Sequence, residues 1–218
     1  MTGLPFSEYL SQNSTDIIFR TQQHALLSLY CILIATFLGL LIAIAVYRSN
    51  VRTNFTIATA AVIFTLPSVA LFGFLVSVVG YGLAAVFPVV VAYAMLPIVR
   101  NAIVGLQSAD PAVLDAARGM GVGGFRMLWQ IRLPIAWPVI LAGVRVSAQL
   151  TVGVVAIAAF VTPVGLGNYG YDALDNLGSV NTQSEAIVCI IFVALVALLF
   201  DAVFVVIRRL TTPRGSRA

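Results

Sequence analysis

Residues 31–46 read CILIATFLGLLIAIAV, from Cys31 to Val46, without a charge, a proline or an alternation of apolar with polar positions. A lipid-facing barrel strand shows that alternation, and this run lacks it. Amides and carbonyls that enter hydrocarbon must be paired within their own segment, so the run is a transmembrane helix. The rest of the chain agrees. Hydrophobic residues make up 61% of the 218 and charged residues 9%, with a mean hydropathy of +1.04; soluble domains carry about 25% charged residues. A crossing takes roughly 20 apolar residues, and windows of that kind recur at 25–47, 55–79, 81–106, 141–161 and 186–207. The expectation is an all-α integral membrane protein with five transmembrane helices in one domain, 24–210. An external segment, 1–23, precedes it and a cytoplasmic tail, 211–218, follows.

Basic residues orient the helices, because cytoplasmic flanks collect arginine and lysine. Arg48, Arg52, Arg100, Arg118, Arg126, Arg132, Arg208, Arg209, Arg214 and Arg217, ten of the twelve, share one side. The other side has Arg20 against Glu8, Asp16, Asp172, Asp175 and Glu185, and Arg145 lies within a span. This places the amino terminus outside and the carboxyl terminus in the cytoplasm. The net charge of +4 then follows from topology and needs no nucleic-acid partner. Residues 1–23 lack the basic leader and cleavage site of a signal peptide, so the first span is expected to serve as an uncleaved insertion signal.

The chain has no lysine, which removes the phosphate-holding Gly-x-x-x-x-Gly-Lys loop and any Schiff base. Its loops hold no Ser/His/Asp set, no Cys/His cluster and no paired carboxylates, so an enzyme reading has no support. Cys31 and Cys189 fall inside helices and read as small apolar residues. His24 stands alone at a membrane boundary, and no metal is assigned to it. Any ATP is hydrolysed on another polypeptide.

A polar, glycine-broken loop of about 107–134 interrupts the apolar pattern. Asp110 and Pro111 form a helix start, with the carboxylate capping free amides and proline fitting the first turn. A short helix to about Arg118 is expected, ended by Gly119 and Gly121. A second would run from Phe125 to Gln130, with Pro134 stopping or kinking it. Val113, Leu114, Met120 and Phe125 are apolar side chains outside the membrane that call for a protein surface to cover them. The alternative is an amphipathic helix lying on lipid; the four glycines at 119, 121, 123 and 124 favour a docked turn.

Within this loop Asp115-Ala116-Ala117, Gly121 four residues on, nine variable positions, and Ile131-Arg132-Leu133-Pro134 follow one another at fixed spacing. This resembles the signature of ABC importer permeases, in which a Glu usually stands where this chain has Asp115. The resemblance implies a type I importer permease fold whose cytoplasmic coupling helix sits in a groove of the ATP-binding subunit. Asp115 would be the polar contact, Ala116 and Ala117 the close-packing surface, Gly121 the turn, Ile131 part of the matched pattern, and Leu133 with Pro134 the anchor to the membrane. Closure of two ATPase subunits, which carry the ATP and Mg, would swing the permease helices between inward-facing and outward-facing. No cofactor falls to this chain.

Leu66-Pro67-Ser68, and Leu96-Pro97-Ile98-Val99-Arg100-Asn101 leading to Asp110-Pro111, resemble the osmoprotectant branch, which imports glycine betaine, choline, carnitine or related quaternary amines. The likeness covers about 66–167 and departs at Val161-Thr162-Pro163-Val164-Gly165-Leu166-Gly167, where branch members have a glycine-richer stretch. Another small solute, such as an amino acid or an anion, is the second reading; an ion-coupled carrier or a membrane scaffold is the third. Phe160, Pro163, Tyr169 and Pro67 are candidate pathway or gate residues. Tyr169, Tyr171 and Phe160 fit a cation-binding aromatic cage; the other reading puts the two tyrosines in the interfacial aromatic belt, and the belt is preferred. Pro67, Pro88 and Pro97 are gating bends or packing kinks. Arg145 and Asp201 are candidates for an intramembrane ion pair, with snorkelling to the interface as the other reading. Five helices do not enclose a path for a polar solute, so a second permease chain, identical or paralogous, is expected. The small face of Ala35, Gly39 and Ala43 suits close helix contact. An extracytoplasmic binding protein and a prokaryotic inner membrane complete the implied setting.

Overall fold

The computed structural model describes residues 5–212, and its regular elements are all helices, with no strand among the described residues. Arg214, Arg217 and the tail beyond Thr212 lie outside it, as do residues 1–4. In chain order the helices are α1 (Phe6–Gln12), α2 (Ser14–Val46), α3 (Asn50–Thr65), α4 (Ser68–Val79), α5 (Leu83–Gln107), α6 (Pro111–Gly119), α7 (Gly124–Met127), α8 (Leu133–Ile157), α9 (Gly167–Asp175) and α10 (Thr182–Thr211). Four helical stretches are long and apolar enough to cross a membrane: Ser14–Val46, Leu83–Gln107, Gly124–Phe160 and Thr182–Thr211. The pair α3 and α4, bent by 90°, makes the fifth if counted as one span.

That bend has a local cause. Proline has no amide to donate and disfavours a helical conformation in the residue before it. Leu66, immediately before Pro67, is extended at φ −68° and ψ 140°. Its freed carbonyl accepts the Tyr93 hydroxyl from α5. Pro88 and Pro97, by contrast, sit inside a continuous α5.

α5 and α8 form the centre. Gly143 lets them approach until an added Cβ would meet Asn101 Cβ at 2.6 Å and the Pro97 carbonyl at 2.8 Å. Ser147 Oγ donates to Ala94 O at 2.8 Å across the same seam. α2 crosses α5 at Gly39, against Ile98 and Val99. The core built here includes Ile98, Ala102, Leu106, Ile140 and Val152. Helices α2 and α10 keep apolar outer faces, including Phe37, Leu41, Ile190 and Leu198, as lipid-facing helices do.

Two expectations need correcting. The second loop helix does not end at Pro134. It runs into α8 through a π turn, Leu128–Arg132, in which the Leu133 amide reaches back to Leu128 O. Widening by one residue re-registers the ladder just where Pro134 lacks a donor. The helix of the first span, α2, also begins earlier than residue 25, at Ser14, so that His24 lies well inside it. Its ring is fully buried, with Nε2 3.0 Å from Val152 O.

Candidate functional site

The loop between α5 and α8 folds around a core of its own. Asp110 Oδ1 accepts the Ala112 amide at 2.8 Å and Pro111 occupies the first turn, which fixes where α6 begins. At the other end Gly121 takes φ +78°, a conformation open to glycine at little cost. The Val122 amide then turns back to Ala117 O at 3.0 Å. Ala109, Leu114, Ala117 and Met127 are buried together, with Val122 and Ile131 partly buried against them.

The spacing of α6 separates the motif residues into two faces. Ala117 points inward, 2% exposed, while Asp115 and Ala116 face out. Asp115 Oδ1 accepts from Arg118 Nη1 at 2.6 Å along the outer face. Val113, Met120 and Phe125 stand exposed beside them, and Phe125 lies 6.1 Å from Trp129, ring to ring. The loop thus presents a small residue and an acid within an apolar surround. Leu133 packs against the main core and Pro134 is exposed at the head of α8.

Tyr47, at the end of α2, ties this loop to the helices. Its ring lies between Arg48 and Arg132, whose guanidinium carbons are 5.4 Å and 5.3 Å from the centroid. Arg132 Nη1 donates to Leu106 O at 2.6 Å, closing the carboxyl end of α5, and Gln107 Nε2 donates to Tyr47 O at 2.9 Å. These residues border a polar cavity of about 710 Å³ that reaches Leu114 and Arg118 of α6. The cavity thus lies between α6 and the residues that close the ends of α2 and α5.

Arg145 of α8 and Asp201 of α10 meet in a two-pronged contact, Nε to Oδ1 at 2.6 Å and Nη2 to Oδ2 at 2.8 Å. Gln149 Nε2 adds a third bond to Oδ1 at 2.8 Å.

At the opposite end, Phe160 and Tyr171 pack edge to face with centroids 5.3 Å apart. They share a recess of about 270 Å³ with Pro163 and Asp172. Tyr169 is neither in that recess nor a belt residue. It is buried, and its hydroxyl donates to Asp16 Oδ2 at 2.6 Å, the oxygen that also accepts from Arg20 Nε at 2.6 Å. Burial first, and then that bond to Asp16, push the phenol upward from its ordinary value. Pro67 lies at the break between α3 and α4. Among the described residues no group of three or more His, Cys, Asp or Glu is placed to hold a metal ion.

The family described as binding-protein-dependent transport system inner membrane component matches residues 35–213. The chain belongs to that family. Among similar proteins is the glycine betaine/carnitine/choline transport system permease protein OpuCD of Bacillus subtilis (strain 168), 32% identical over 94% of this chain and 88% of the relative. OpuCB of the same organism and of the same description is 27% identical, over 95% and 94%. The osmoprotectant import permease protein OsmW of Salmonella typhimurium is 30% identical, over 96% and 98%. In fold, the chain is similar to an inward-facing structure of the MetNI methionine ABC transporter, with a TM-score of 0.75 at 20% identity, covering 90% of this chain and 96% of that one.

In this inner-membrane component, sequence reasoning missed Tyr47, Arg48, Gln107 and Trp129. A tyrosine and an arginine flanking a span read as ordinary interfacial residues, and Gln107 is 60 positions from the carbonyl it holds. Trp129 carried a usable signal, since it lies four residues after Phe125 on a helical stretch. Gln149, one turn past Arg145, was open to the same reasoning.

Proposed function

We propose that this permease imports a small osmoprotectant of the quaternary-amine class, glycine betaine, choline or carnitine, by alternating access driven by ATP hydrolysis on partner subunits. The outward face of α6 carries the reading. Asp115 and Ala116 sit exposed between Val113 and Met120 over a loop core that is already closed, so this surface is free to seat in a partner's groove. The names of the permeases that this chain resembles along most of its length support the substrate class.

Two ATP-binding subunits, which hold ATP and Mg, engage the loop ends of two permease chains, identical or paralogous. An extracytoplasmic binding protein delivers cargo at the end carrying Asp16, Phe160 and Tyr171. The loop end, with Arg48, Arg118, Arg126 and Arg132, faces the cytoplasm, the amino terminus lies outside and the carboxyl terminus inside. Residues 5–23 then belong to the external side, and 24–210 form the five-span transport domain.

The test is copurification of the chain with its ATP-binding subunit, followed by uptake of labelled betaine and choline into proteoliposomes. ATP-dependent accumulation of either is expected. A complex that hydrolyses ATP with its binding protein present, yet moves neither betaine, choline nor carnitine, refutes the substrate class.

A further inference from the structure

α8 ends in a single 3-10 turn, Ala158–Phe160, and the chain bends through Gly165, at φ +77°, before α9 starts at Gly167. α9 therefore packs back against the end of the helix it has just left. Asn168, Tyr171 and Asp172 fall at i, i+3 and i+4 along it, on one helical face. With Phe160, Thr162 and Pro163 from the stretch before, that face lines the recess of about 270 Å³. Thr162 and Pro163 belong to the segment in which this chain leaves the osmoprotectant pattern.

The lining has three kinds of group, and each narrows the ligand. Phe160 and Tyr171 stand at 89° to each other, so their faces bound a corner and not a flat slot. Both rings are more than a third exposed, and a π face attracts a cation that has no hydrogen bond to give. Among the described residues lining the recess, Asp172 alone carries a charge, and its carboxylate has no salt bridge or hydrogen bond. Tyr9 and Glu185 are its electrostatic neighbours, and neither brings a positive charge. Thr162 and Asn168 are 8% and 9% exposed, and neither side chain is hydrogen-bonded among the described residues. Their polar atoms are not sealed from water, so they open on the recess they line. Polar groups so nearly buried are ordinarily paired, and two without partners beside one cavity mark a place for a ligand's polar arm. Among the described residues of this end, Arg20 is the one cationic side chain, bonded to Asp16, against Glu8, Asp16, Asp172, Asp175 and Glu185. That balance turns an anion away.

We propose that this recess binds a trimethylammonium head group. Its methyls sit in the corner of Phe160 and Tyr171, Asp172 balances the charge, and Thr162 and Asn168 bond the hydroxyl or carboxylate that the ligand bears. The proposal rests on the quaternary-amine reading above and adds a holding point for the solute at the end opposite the coupling loop. At about 270 Å³ the recess is smaller than the roughly 300–1,000 Å³ of drug-sized pockets, a size for a small head group. Both rings stay partly in water, so the dissociation constant is of order 1 mM or more. Weak holding suits a site that passes its occupant on. A primary ammonium keeps its hydration in preference to an aromatic corner. A phosphatidylcholine head group has the same trimethylammonium, but its phosphate would stand against Asp172.

The experiment places the assembled complex of permease and ATP-binding subunits in phosphatidylglycerol nanodiscs and reads choline binding from saturation transfer to its methyl protons. Uptake by the same variants is measured in proteoliposomes. Wild type should bind choline about fivefold or more tightly than its uncharged carbon isostere, 3,3-dimethylbutan-1-ol. Tyr171→Leu and Asp172→Asn should each weaken choline about threefold or more. Tyr171→Phe, which keeps the ring, should bind as wild type does, and Asp172→Asn should leave the isostere unchanged. If Tyr171→Leu fails to assemble, Asp172→Asn and the isostere decide. Equal binding of choline and the isostere overturns the site even where uptake proceeds, as does choline binding unchanged in Tyr171→Leu or in Asp172→Asn. Loss of choline binding in nanodiscs of phosphatidylcholine also overturns it, by assigning the recess to a lipid head group. Uptake of neither betaine, choline nor carnitine, with choline still bound through Tyr171 and Asp172, sinks the import reading and leaves the site.

Discussion

At Gly167 an added methyl would fall on the carbonyl oxygen of Ala156, whereas at Gly119, also helical, it would meet nothing within 4 Å. The same Gly→Ala change therefore has opposite consequences. Gly167→Ala should cost about 1–3 kcal/mol through overpacking where α9 meets α8, and Gly119→Ala should leave stability within about 0.5 kcal/mol. Thermal unfolding of the two variants in detergent compares them directly, and equal melting points would contradict the close approach at Gly167. Tyr169 supplies a pH prediction. Its phenol titrates above the ordinary value of 10.0, through burial first and its bond to Asp16 second. Below pH 10 folded and unfolded chains both keep the proton, and the contribution is whole; above it the unfolded chain ionises first, so stability falls as pH rises. Tyr169→Phe should flatten the alkaline limb of melting temperature against pH. An unchanged limb would mean that another group sets it.

At the scale of elements, the spans were legible because lipid imposes one rule on long apolar runs: helix, about 20 residues or more. Leu66-Pro67 marked the break in the second span, but the partner of its freed carbonyl, the Tyr93 hydroxyl 27 residues away, is one that no local pattern reveals. Tyr93→Phe should leave the Leu66 carbonyl without that donor and cost about 1–3 kcal/mol, read as a lowered melting temperature. No loss would show the carbonyl finding another donor. The π turn escaped notice for a related reason. Pro134 signals that a helical bond is missing, and stopping the helix or widening a turn both answer the same defect. The start of α2 was missed because Thr21, Gln22, Gln23 and His24 are polar. Yet Gln23 Oε1 accepts the Gly165 amide at 3.4 Å and His24 bonds to Val152 O, partners supplied only by tertiary packing.

For the whole molecule, the question is how a motor on separate subunits moves helices it does not touch. The loop motif was legible as spacing, but spacing does not say which of two adjacent alanines is exposed; helix phase does. Ala117 is enclosed with Leu114 and Met127, and Ala116 is exposed beside Asp115. A large side chain at 116 should therefore block docking while the fold stays intact, and one at 117 should damage the loop core first. Ala116→Trp is expected to melt within about 0.5 kcal/mol of wild type while losing copurification with the ATP-binding subunit and ATP-driven uptake. Ala117→Trp should lose about 1–3 kcal/mol by overpacking, with docking lost as a consequence. Melting curves and pull-down on the same preparations separate the two. If Ala116→Trp retained full uptake, force would have to enter through a surface other than the outward face of α6.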